Sequence, residues 1–102
     1  IDAVQGVNAK PILVTPLPMN QFYAHKDFPA YIENGLNYLV DEYADIIREI
    51  SAKRNIPLID TNKAFNDDPD SYRLIPDGIH PNKCGHRFIA DIFLSVFLKL
   101  LS

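Results

Sequence analysis

Asp77 and His80 are the residues whose types and spacing best suit chemistry. They lie in Asp77-Gly78-Ile79-His80-Pro81-Asn82, a glycine-containing turn that runs directly into an apolar helical stretch. A carboxylate three residues before an imidazole can hold one ring nitrogen and leave the other free to move a proton. General-base catalysis needs this arrangement: a histidine whose tautomer and orientation are fixed by a second group. The plainer alternative is a capping aspartate and a structural histidine at a helix entrance.

A nucleophile for such a base is not evident. Ser51, Ser71, Ser95 and Ser102 are the serines, and none is flanked by glycines on the sharp turn that exposes a hydroxyl beside oxyanion donors. Cys84 falls in the first turn of the last helix, where a thiolate is favoured, but no oxyanion site accompanies it. It reads as a half-buried structural cysteine. His25 and His86 match no compact metal-ligand spacing. Asp60 ends an apolar run, where ligand sites of α/β folds open, and is expected to bind backbone amides of the next turn. Leu17, Met19, Phe22 and Tyr23 follow another such run and are expected to wall a substrate pocket, with ordinary loop packing as the alternative.

The elements that must position these groups follow from hydrophobic periodicity. Lys10–Thr15 and Ile56–Asp60 are short apolar runs expected to be strands buried on both faces of a parallel sheet. Between them, Ile32, Leu36, Leu39, Val40, Tyr43, Ile46, Ile47 and Ile50 recur at helical spacing, which predicts one helix over Pro29–Arg54. Asp27 is its expected N-terminal cap and Asn55 its stop. Thr61–Arg73 is turn-rich, with a helical turn around Lys63–Phe65. Asn82 is expected to cap the final helix. There, Arg87, Asp91, Ser95 and Lys99 form one polar stripe, which predicts a mostly buried helix with one wet edge. The order β, α, β, loop, α implies parallel strands in an α/β layered fold. Two short parallel strands do not make a stable sheet alone, so a preceding segment or another chain is expected to complete it.

With 102 residues the chain is one small unit without repeats or low-complexity tracts. Its net charge of -3, with scattered Lys and Arg, gives no nucleic-acid surface. One cysteine excludes an internal disulfide. The apolar stretch Phe88–Leu101 is too short for a membrane span and carries Asp91 and Lys99.

The stretch DGIHPNKCGHRFIADIF resembles the C-terminal signature block of the GDSL (SGNH) ester hydrolases. The succession PILVTPLP, helix, IPLID, loop, DGIHPN is similar to that family's last two strands and helices. The resemblance implies a flavodoxin-like three-layer α/β/α fold with a parallel sheet, of which residues 1–102 would be the C-terminal portion of a single domain. It makes His80 the catalytic base of an acyl transfer and Asp77 the carboxylate orienting it. The family's serine, glycine and asparagine blocks would precede Ile1, and none occurs here. The implied activity is hydrolysis of a lipid, small-molecule or carbohydrate ester, without metal or cofactor. The alternative is a non-catalytic fragment or remnant of hydrolase architecture that acts as a binding or interaction module.

Overall fold

The computed structural model describes residues 1–102. Its elements run α1 (Asp2–Gly6), β1 (Leu13–Val14), α2 (Pro29–Asn34), α3 (Tyr38–Arg54), β2 (Leu58–Ile59), α4 (Thr61–Asp67), a 3-10 turn (Ser71–Leu74) and α5 (Lys83–Leu101). β1 and β2 pair in parallel, Leu13 opposite Leu58 and Val14 opposite Ile59. The N–H of Leu13 donates to the Pro57 carbonyl at 2.9 Å and that of Thr15 to the Ile59 carbonyl at 3.2 Å. The α/β character and parallel pairing agree with the sequence reading. The strands are shorter than the apolar runs, which contain Pro11 and Pro57 and, in the first, end at Pro16, residues with no N–H to give a ladder.

The helix expected over Pro29–Arg54 is two helices. Gly35, at φ +97°, ends α2 in a backbone conformation that side chains other than glycine's resist. The N-terminal cap of α2 is Phe28 rather than Asp27, with Pro29 taking the first turn, where a missing N–H costs nothing. Asn55 does stop α3, in the left-handed conformation at φ 52°. The helical turn expected at Lys63–Phe65 extends to the whole of Thr61–Asp67, because Asp60 caps it by accepting from the Lys63 N–H at 3.1 Å. Asn82 caps α5 as expected, accepting from the Gly85 N–H at 2.8 Å.

The core is small. Ala44, Ile56, Ile59, Phe65 and Ile75 are its buried apolar residues. Phe65 of α4 meets Phe88 of α5 edge to face at 4.9 Å, which seats the last helix on the strand layer. The expectation of a mostly buried α5 is corrected: besides its polar stripe, Leu94, Phe97, Leu98, Leu100 and Leu101 are exposed. In α3, Leu39, Tyr43 and Ile46 are exposed as well. Val14 is 40% exposed although it sits in a strand. Two strands are too narrow to cover the apolar faces these helices present.

Whole-molecule dimensions agree. The accessible surface is 7044 Å², about 1,200 Å² more than the ~5,800 Å² of a folded monomer of this mass. The radius of gyration is 15.3 Å, against about 13 Å for a compact domain of this length. No helix is long and apolar enough to cross a membrane.

Candidate active site

The turn after the 3-10 segment places Asp77 and His80 side by side. Gly78 adopts φ +87° and brings the chain back on itself. Asp77 Oδ1 then accepts the backbone N–H groups of Ile79 at 2.9 Å and His80 at 2.7 Å. Its other oxygen, Oδ2, lies 2.6 Å from His80 Nδ1. That side-chain bond, followed by the two amides, holds the Asp77 carboxyl down at about 2, so it is ionised at neutral pH. An ionised carboxylate only accepts, which assigns the proton of neutral His80 to Nδ1 and leaves Nε2 with a free lone pair. The imidazole side chain is 74% exposed, so Nε2 is open to a group arriving from outside the turn.

Glycine is required in this turn for a second reason. A Cβ on Gly78 would stand 2.3 Å from the backbone nitrogen of Tyr23, inside any real contact distance. The loop after β1 therefore lies directly against the pair. The Asn20 N–H donates to the Gly78 carbonyl at 3.2 Å, and Asn20 Nδ2 donates to the carbonyls of Ile75 at 2.9 Å and Tyr72 at 3.3 Å.

The residues expected to wall a pocket separate. Met19 lines a cleft of about 280 Å³, together with Asn20, Phe65, Asn66, Tyr72 and Ile75. Phe22 packs its ring 6.0 Å from that of Tyr72, and the ring of Tyr23 meets those of His25 and Tyr31. Leu17 is half-buried and lines no cleft. The cleft adjoins the Asp77–His80 turn through Asn20 and Ile75 but does not contain the pair itself.

Three of the four serines are otherwise engaged. Ser51 Oγ donates to the Ile56 carbonyl, Ser71 Oγ to that of Phe65 and Ser102 Oγ to that of Lys99. Ser95 lies exposed on α5. No serine bonds to His80. Cys84 is exposed rather than half-buried, because the first turn of α5 projects it outward.

Sequence reasoning missed a polar cluster at the carboxyl ends of the strands. Asp60 binds the Lys63 amide as expected, but it also accepts from Thr15 Oγ1 at 2.8 Å and from Arg48 through Nε at 2.8 Å and Nη2 at 3.0 Å. Burial alone would raise the Asp60 carboxyl. The Arg48 bonds, the Lys63 amide and the Thr15 hydroxyl outweigh it and hold the group below its ordinary value. The available signal was positional: Thr15 and Asp60 each follow a strand directly.

No curated protein matches the sequence. The model of the GDSL-like Lipase/Acylhydrolase family matches residues 1–88, a span holding both strands, the post-β1 loop and the Asp77–His80 turn. With that match covering most of its length, the chain belongs to the GDSL-like Lipase/Acylhydrolase family.

Proposed function

We propose that Asp77 and His80 are the acid–base half of the catalytic triad of a serine ester hydrolase. The observation that carries this reading is the 2.6 Å bond between Asp77 Oδ2 and His80 Nδ1, with Nε2 left free on an exposed ring. His80 Nε2 takes the proton of a serine hydroxyl as it attacks an ester carbonyl, then returns it to the leaving alcohol. Asp77 stays ionised and stabilises the imidazolium in between.

The serine, with its oxyanion-hole glycine and asparagine, is supplied from outside residues 1–102. Support comes from the serines here, three of which are bonded to backbone carbonyls and none to His80. In this reading residues 1–102 are the C-terminal portion of one SGNH domain, and the missing strands complete a three-layer α/β/α sandwich. Exposed Val14 on β1, the apolar stripes of α3 and α5, and the surplus accessible surface fit strands and helices contributed by a preceding segment or a partner chain. The substrate is a lipid, small-molecule or carbohydrate ester, and Met19, on the cleft beside the Asp77–His80 turn, contributes to its pocket.

The test is ester turnover by the protein that carries this chain, on a chromogenic acetate ester, with a serine-directed covalent inhibitor. The expected result is stoichiometric inhibition with the label on a serine other than Ser51, Ser71, Ser95 and Ser102. Labelling of one of those four would overturn the assignment.

A second reading is a non-catalytic binding module. The lack of any serine on His80 favours it. Its signature would be ligand or partner binding without turnover in the same assay.

A further inference from the structure

The Asp77–His80 turn satisfies itself internally but does not place itself. Both amide bonds to Asp77 Oδ1 and the bond to His80 Nδ1 come from within four residues. Such an Asx-type turn keeps its shape wherever the segment Ile75–His80 is carried. Proton transfer asks for more, since Nε2 must meet a hydroxyl held elsewhere to within a fraction of an ångström.

The ties from the post-β1 loop come from one residue, through its backbone and its side chain. Asn20 reaches the turn on both sides of Asp77: its backbone N–H binds the carbonyl of Gly78, and its Nδ2 binds those of Ile75 and Tyr72. Its remaining acceptor, Oδ1, takes the Phe22 N–H at 2.9 Å, so the side chain has no spare orientation. The residue before it is fixed in turn. Asn37 Oδ1 accepts from the Met19 N–H at 2.7 Å, and Asn37 Nδ2 donates to the Met19 carbonyl at 2.9 Å. Asn37 directly precedes α3, which packs on β1. A continuous path of hydrogen bonds thus runs from the helix layer through Met19 and Asn20 to the backbone on either side of Asp77.

We infer that Asn20 is a positioning residue that sets where the Asp77–His80 pair stands on the sheet without shaping the pair itself. This rests on the reading of that pair as an acid–base unit. Asn37 is its support, holding the loop from which Asn20 reaches. The inference separates two properties that mutation of Asp77 would disturb together: the tautomer of His80 and the aim of its free nitrogen.

The experiment compares Asn20→Ala and Asn20→Ser with wild type in the protein that carries this chain. Serine keeps an oxygen for the Phe22 N–H but cannot span to Ile75 and Tyr72, so it preserves the local loop turn and the backbone bond to Gly78 while removing the two side-chain ties. Both variants are expected to lower kcat about 10–100-fold with KM within about 3-fold, the effect of a misplaced catalytic group. The ¹⁵N shifts of His80 should keep the wild-type Nδ1–H tautomer, while backbone order parameters of Gly78 and Ile79 fall. Wild-type kcat and order in Asn20→Ser would overturn the inference, as would loss of the tautomer in both variants. If the wild-type protein hydrolyses no ester, the esterase reading fails separately. The order parameters and tautomer then still decide whether Asn20 places the turn.

Discussion

Arg48 grips Asp60 with two hydrogen bonds, Nε to Oδ2 at 2.8 Å and Nη2 to Oδ1 at 3.0 Å, and so ties α3 to the carboxyl end of β2. Thr15 Oγ1 adds a third donor from the end of β1 and itself accepts the Asn62 N–H at 3.0 Å. One half-buried carboxylate therefore locks both strand ends and the helix that crosses between them. Those strand ends begin the loop that reaches Asn20 and the α4 segment that supports Phe65.

Removing that carboxylate should loosen the fold rather than the chemistry. Asp60→Ala leaves the Arg48 guanidinium, the Thr15 hydroxyl and the Lys63 amide short of an acceptor. The expected cost is about 1–3 kcal/mol, read by urea unfolding of the protein that carries this chain. An unchanged midpoint would show that water replaces the carboxylate without loss.

The pair's own pH dependence follows from Asp77. Its folded-state carboxyl lies at about 2, below an ordinary 3.8. Its contribution to stability is thus fully present above about pH 4 and lost as pH falls through 2. An NMR titration should find Asp77 ionised at pH 3, and no acid limb of activity above that pH should belong to it. Asp77→Asn keeps the shape but loses the charge that fixes the Nδ1–H tautomer, and should lower turnover by about 10²–10⁴-fold. An Asp77 that titrates near 4 would separate it from His80.

Much of this was legible in the sequence, for identifiable reasons. The Asp77–His80 contact was readable because an i,i+3 carboxylate on a glycine turn makes its bonds locally, and local bonds are encoded by spacing. Asn82 and Asn55 were readable as helix ends for the same reason. Arg48–Asp60 and Asn20–Ile75 were not: their partners are 12 and 55 residues apart, and only the crossover of α3 brings them together. The break at Gly35 was masked because apolar spacing continues through it. The apolar faces of α3 and α5 were read as buried because periodicity reports that a face wants a partner, and two short strands do not provide one.

Gly78→Ala tests the close approach of the post-β1 loop. The new methyl meets Tyr23 N in a backbone conformation that side chains resist. The expected loss is about 2–4 kcal/mol, combining backbone strain with overpacking, together with strongly reduced turnover. Wild-type stability and activity would mean that the loop does not lie on the turn.

The exposed faces make a prediction for residues 1–102 expressed alone. Their unpaired strand edge and apolar stripes should drive association or a loosely packed state that binds hydrophobic dyes, visible by sedimentation and fluorescence. A cooperative, monodisperse monomer would contradict the need for added strands.

The most direct measurement is steady-state ester hydrolysis by His80→Ala in the protein that carries this chain, with folding verified by circular dichroism. The account predicts a fall in kcat of about 10²–10⁴-fold at little changed KM, the share of a positioned general base. A folded variant hydrolysing the ester at the wild-type rate would contradict it.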